Sequence, residues 1–166
     1  MLTVWSPDKN AEIELSSSDG TILAPAGNLR IKAYEINARD INGAEWKLFS
    51  YFISPFDLTV KANSSQNINI GSPFTTTVNA IQKDGYIVSF EFILKDCAGN
   101  QYGIEPFRPE FQVMAKTGEI LWKDKLAGEN YLWRKPDNIM GEVLVRPVLY
   151  NNPFDIIYAD TQWLVK

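Results

Sequence analysis

The sequence predicts an all-β fold: two tandem antiparallel β-sandwich domains, residues 1–71 and 72–166. Three observations predict it. Apolar and polar residues alternate with period two along almost every segment, the pattern of half-buried strands. Turn pairs that supply positive φ cheaply break these runs at short intervals: Asp19-Gly20, Asn42-Gly43, Asp84-Gly85, Gly99-Asn100 and Thr117-Gly118. Nine prolines, and no 3.6-residue apolar period sustained over a dozen residues, leave no room for long helices.

Taken in order, AEIEL (11–15) places Ala11, Ile13 and Leu15 on one face and Glu12 and Glu14 on the other. FDLTVKA (56–62) places Phe56, Leu58, Val60 and Ala62 inward, against Asp57, Thr59 and Lys61 outward. YIVSFEFILK (86–95) puts Tyr86, Val88, Phe90, Phe92 and Leu94 on one side. Its other side mixes Ser89, Glu91 and Lys95 with Ile87 and Ile93. EFQVMAK (110–116) and GEVLVRPV (141–148) continue the alternation.

The division into two units comes from an echo. SPFDLTVKA (54–62) follows the apolar KLFSYFIS, and NPFDIIYAD (152–160) follows VRPVLYNN. In each, the proline is expected to open a strand, where its missing N–H does least harm. A break follows each, and then a second short strand: NINIG (67–71) in one case, QWLVK (162–166) in the other. The first unit then ends at Gly71, with Gly71-Ser72-Pro73 as a short, stiff junction.

Composition bounds the chemistry. With 45% hydrophobic and 22% charged residues, the 166-residue chain is expected to bury a true core. No apolar run approaches the roughly 18 residues of a spanning helix. A net charge of −4, with Lys and Arg scattered singly, does not suit a nucleic-acid partner. The chain has no histidine, so Ser-His-Asp and Cys-His nucleophiles and histidine-ligated metals are excluded. Its one cysteine, Cys97, allows no internal disulfide or CxxC chemistry, and in a turn it reads as incidental. Asp96, Asn100 and Glu105 offer oxygen donors, but calcium takes six to eight. That stretch reads as a hairpin. Glu91 falls on the polar side of its strand, and no S-x-x-K motif occurs, so no catalytic residue, metal or cofactor is assigned.

The remaining candidate is aromatic. In ENYLWRKPDN (129–138), Tyr131 and Trp133 share a face if extended, and Arg134 and Asp137 are placed to hydrogen-bond sugar hydroxyls. The same rings could instead plug the sandwich core, as Trp46 and Trp122 are expected to do.

APAGNLRIKAYEI (24–36) resembles the "aG-x-Y-x-l-x-a" strand of bacterial transthyretin-like modules, also called carboxypeptidase regulatory-like domains. FDLTVKANSSQNINIG (56–71) resembles their closing pair, with Leu29 for the usual tyrosine and Asn63 where glycine is common. Asn tolerates the left-handed conformation required there. The second half resembles a generic bacterial immunoglobulin-like module. The resemblance implies an immunoglobulin-like or transthyretin-like topology and a non-catalytic role. It implies a structural, adhesive or protein-interaction module of a cell-envelope or secreted protein, with an unknown protein or a surface glycan as partner. The start, MLTVWSPDKN, lacks the basic and apolar regions of a signal peptide. Taken literally, this places the chain in the cytoplasm. The extracytoplasmic expectation assumes an export signal that is absent from this sequence.

Overall fold

The computed structural model describes residues 1–17, 19–83, 87–125, 131–134 and 137–165, with backbone alone at 51–56, 80–83, 87–89, 131–134 and 165. Among them lie thirteen strands in two sheets, and no helix. The chain is all-β, as expected. Among the described residues, no helix is long and apolar enough to cross a membrane.

The first half builds a four-stranded antiparallel sheet. β1 (Leu2–Ser6) pairs with β2 (Ala11–Leu15) through the turn at 7–10, whose Asn10 adopts φ 49°. β1 also pairs with β3 (Gly27–Arg39), which forms a long hairpin with β4 (Glu45–Val60). The Asp40 carboxylate shapes the tip of that hairpin. It accepts the amides of Asn42 and Ala44 (2.8 and 2.9 Å) and the indole N–H of Trp46 (3.3 Å). Trp46 is 7% exposed and belongs to the core, as its position after the turn suggested.

The large sheet continues into the second half. β7 (Gln101–Glu105) pairs through Gly103, Ile104 and Glu105 with Phe49, Leu48 and Lys47 of β4. Its start pairs with β6 (Ile87–Lys95), and β6 pairs along its length with β5 (Phe74–Lys83). Residues 1–71 and 72–166 therefore share one sheet. β10 (Tyr131–Arg134) runs beside the opening residues of β6, and the short β12 (Ile156–Tyr158) adds to β5 in parallel. The complete order is β12-β5-β6-β7-β4-β3-β1-β2, with β10 on β6.

The second sheet has the order β13-β11-β8-β9: β8 (Glu110–Met114), β9 (Ile120–Lys125), β11 (Gly141–Val148) and β13 (Thr161–Val165). It faces β5 and β6. Val78, Phe90, Phe111, Val113, Val143 and Val145 fill the space between the layers. Phe90 and Phe111 stack there, 5.2 Å apart and 10° from parallel. A second core around Leu48, Phe74, Leu94 and Tyr102 lies beside it, and a third around Leu2, Val4, Leu29 and Ile31 underlies the first sheet. Phe92 packs against the first two cores and Tyr34 against the last two, so these side chains link the three cores.

The two halves of the echo fold differently. Pro55 lies inside β4, where the β3 partner moves from Phe56 (opposite Ile31) to Tyr51 (opposite Ala33). The four residues 52–55 thus face one residue, Lys32, and a wide bulge absorbs the missing proline donor. Pro153 precedes β12 in a turn. There Asn151 has φ 58°, and Asn152 holds Leu149 O, Tyr158 Oη and the Phe154 amide. NINIG is not a strand, whereas QWLV belongs to β13.

Candidate functional site: an open groove over the first sheet

A half-buried sheet needs a second layer on its apolar face. The second sheet supplies that layer in the C-terminal half. In the N-terminal half, two irregular segments supply it, residues 20–26 and 61–70. Both lie over β1, β3 and β4 and send alternate side chains inward. Ile22 and Ala24 point to the core while Leu23 is 88% exposed; Ile68 and Ile70 point to the core while Asn67 and Asn69 face out. Each segment carries the side-chain period of a strand without the ladder of one.

Local polar contacts hold these segments in shape. Asp19 accepts the Ser17 hydroxyl (2.7 Å) and the Thr21 amide (2.9 Å), which places its carboxyl below the ordinary range. Asn63 takes the left-handed φ of 55° that its place in the sequence called for. The Ser64 amide and hydroxyl donate to Lys61 O, and Gln66 Nε2 donates to Thr59 O at 2.6 Å. Among the described residues, the amides of Ile22, Leu23, Ala24 and Ala26, and those of residues 65–69, have no protein acceptor. The two segments do not bond to each other.

Between them is a groove of about 520 Å³. Leu58 and Val60, both half-buried, form its floor, with Leu2, Val4 and Leu29 sealed beneath. Leu23 and Ala62 stand on opposite rims. A smaller space of about 320 Å³ continues along the same two segments toward Tyr34 and Ile70. Among the described lining residues of the main groove, Lys61 is the one titratable group.

The far end of this cover is anchored at Asp96, in the β6–β7 turn. Its Oδ1 accepts the amides of Ala98 and Asn100, both at 2.9 Å. Its Oδ2 accepts the Gly71 amide (3.1 Å), the Asn100 side chain (3.0 Å) and the Tyr102 hydroxyl (3.1 Å). Burial pushes the carboxyl up, but donation from the Asn100 side chain, Gly71, the Asn100 amide and Tyr102 outweighs it and holds the group below the usual carboxylate range. Burial, and then the Asp96 charge, push the Tyr102 hydroxyl far above its ordinary value. Gly71 also accepts the Cys97 amide at 3.2 Å and has φ 97°, a value that favours glycine.

A second polar cluster sits on the outer face of β8. Glu110 and Gln112, both 7% exposed, are covered by Tyr150, whose hydroxyl meets both side chains (2.9 and 3.0 Å). Burial raises the Glu110 carboxyl; the Gln112 and Tyr150 donors and the nearby Lys123 and Lys125 charges bring it below its ordinary value. The acceptors of both clusters are thus held by fixed donors.

Of the residues singled out from sequence, Asp137 is exposed. Tyr131, Trp133 and Arg134 lie on β10 opposite Phe90, Val88 and Ile87, and their side chains fall outside the described residues. So does the Asp84-Gly85 turn. Asp96 and Asn100 form a hairpin turn, as expected, and Cys97 is an exposed turn residue whose Sγ donates to Asn69 Oδ1. Trp122 is half-buried against the C-terminal core. The groove is hidden in the sequence because NINIG reads as a short strand, and the alternation of TILA (21–24) has the same appearance. The signal that finds it is an apolar alternation broken by Pro25 and flanked by polar tracts too rich in Ser and Asn to continue a ladder.

No family model, no curated protein and no solved structure matches this chain.

Proposed function

We propose that this chain is a non-catalytic structural or adhesive module that works by binding a protein partner. It belongs to a cell-envelope or secreted bacterial protein, as the likeness to transthyretin-like and immunoglobulin-like modules implies. The observation that carries the reading is the groove: a large, open, apolar-floored site whose described lining offers Lys61 alone as a titratable group. Such a lining, an apolar floor rimmed by neutral Ser, Thr, Asn and Gln side chains, suits binding by shape, apolar burial and neutral hydrogen bonds, and its Ser64 hydroxyl donates to the Lys61 carbonyl, not to a base. The acids buried elsewhere, Asp96 and Glu110, sit among donors that favour the carboxylate form. This suits turn and sheet fixation, whereas a general acid at neutral pH needs a raised pKa. A sheet shared across both halves is a suitable scaffold for transmitting load.

Immunodetection in fractionated cells of the source organism tests the reading. The chain is expected in the envelope or the medium. A signal confined to the cytosol overturns it.

A further inference from the structure

We propose that copies of this chain join head to tail, the acidic outer edge of β2 in one copy pairing with the basic outer edge of β9 in the next. Neither edge depends on what the groove binds.

β2 and β9 are the last strands of their sheets. Among the described residues, β2 pairs with β1 alone and β9 with β8 alone. An edge strand offers a second strand its outer row of N–H and C=O groups, and its side chains decide which strand can take them. On β2, the core-side residues Ala11, Ile13 and Leu15 are half-buried and the outward residues Glu12 and Glu14 are exposed. On β9, Trp122 packs against the C-terminal core, opposite Val113. Lys123 and Lys125 face the other way, opposite Gln112 and Glu110, and both are exposed. One edge therefore presents two carboxylates at alternate positions and the other two ammonium groups at alternate positions.

Charge selects this pairing over the others. An antiparallel joint sets Glu14 opposite Lys123 and Glu12 opposite Lys125. A parallel joint sets Glu12 beside Lys123 and Glu14 beside Lys125. In both, the outward faces meet with opposite charges. The core-side faces meet with Ile13, Leu15 and Trp122, and Asp124 is the one mismatched residue there. β2 paired in register with a second β2 would set Glu12 against Glu14, and β9 paired with a second β9 about Lys123 would set lysine against lysine, both unfavourable. The edge strands β12 and β13 carry no charged residue to select a partner. Glu12 also meets Lys32 within its own chain, an exposed contact worth little, whereas Glu14, Lys123 and Lys125 have no ion pair among the described residues. Because the two edges differ, the contact is heterologous and leaves one edge of each kind open at the ends of an assembly.

Sedimentation velocity on the whole chain, with hydrogen exchange, tests this. In about 0.02 M salt the weight-average mass should rise past a dimer between about 10 and 500 µM, and in about 0.5 M salt the apparent affinity should fall about tenfold. Exchange should slow with concentration by at least about threefold at Ala11–Leu15 and Trp122–Lys125. Glu12→Lys/Glu14→Lys and Lys123→Glu/Lys125→Glu should each stay monomeric alone, since both edges then carry one sign. Their equimolar mixture should associate again, because each supplies the edge the other lacks; that rescue also shows that both fold. Lys123→Gln/Lys125→Gln, which adds no acid beside Glu110, should lose the association as well.

Four results overturn the proposal. A chain monomeric at every concentration in low salt has no such contact. A dimer that the charge reversals leave intact is built by another surface. Exchange slowed with concentration only at the residues lining the groove places the contact there. A mixture that stays monomeric while both variants melt like the wild type removes the charge match as its cause.

Discussion

Asp96→Asn is the sharpest test of how the cover of the first sheet is anchored. The substitution conserves shape and changes one oxygen into an amino group. With the amide oxygen at the Oδ1 place, the Ala98 and Asn100 amides keep their acceptor. The amino group then faces three donors: the Gly71 amide, Asn100 Nδ2 and the Tyr102 hydroxyl. A hydrogen bond to a charged acceptor contributes about 1.5–3 kcal/mol net. The three share one oxygen and are not additive, and the Tyr102 hydroxyl and Asn100 amide can reorient, so the expected loss is about 3–5 kcal/mol. With a urea slope of about 2 kcal/mol/M for a chain of this size, the midpoint falls by about 1.5–2.5 M. Urea titration followed by far-UV circular dichroism reads this directly. A shift below about 0.5 M would refute the reasoning, because the carboxylate would then be replaceable by water.

The same network fixes a pH dependence. The folded carboxyl of Asp96 lies below its unfolded value near 3.9, so its contribution is complete above that value and is lost as pH falls through the lower folded pKa. The gap in stability between wild type and Asp96→Asn should therefore be constant from pH 7 to about 5 and close in stronger acid. A gap that widened in acid would mean that the group is protonated in the folded protein.

Three further outcomes follow from the packing. The Tyr102 hydroxyl is raised by burial and by Asp96, so stability should fall as pH climbs past about 10, and Tyr102→Phe should flatten that fall in alkaline urea titrations. Phe90→Ala removes a ring that is 1% exposed and stacked on Phe111; a loss of about 3–5 kcal/mol is expected, measured by urea midpoint. Gly103→Ala places a methyl group inside the contact distance of the Phe49 ring, on the strand that joins the halves of the sheet; a loss of about 1–3 kcal/mol is expected by thermal melt, and an unchanged melt would show that Phe49 swings clear at no cost.

The legible parts of this sequence are those in which side-chain alternation and backbone pairing coincide. AEIEL and GEVLVRPV alternate in burial as read, and Phe90 and Leu94 are buried on the face assigned to them. EFQVM shows the first departure. Phe111 and Val113 turn inward as expected, yet Glu110, Gln112 and Met114 on the opposite face are also buried, the first two beneath Tyr150 from a loop some forty residues away. Burial of that kind is set by a distant part of the chain and leaves no local period. Pro55 is the second case. A proline was expected to open a strand, but β3 is long enough to pair on both sides of it, and the chain bulges out at 52–55 instead of ending. The joining of the halves by β7 is likewise non-local: nothing within QYGIE distinguishes a hairpin strand from one that bridges to β4.

The groove follows from the same distinction. Period-two alternation records where side chains go, because burial selects the residue types. It does not record whether the backbone between them has a neighbour, because the amide of every residue but proline is the same. TILA and NINI satisfy the first condition fully, with Ile22, Ala24, Ile68 and Ile70 inward, and leave the second unmet. A sequence can therefore announce a strand at the places where the fold has left one unpaired.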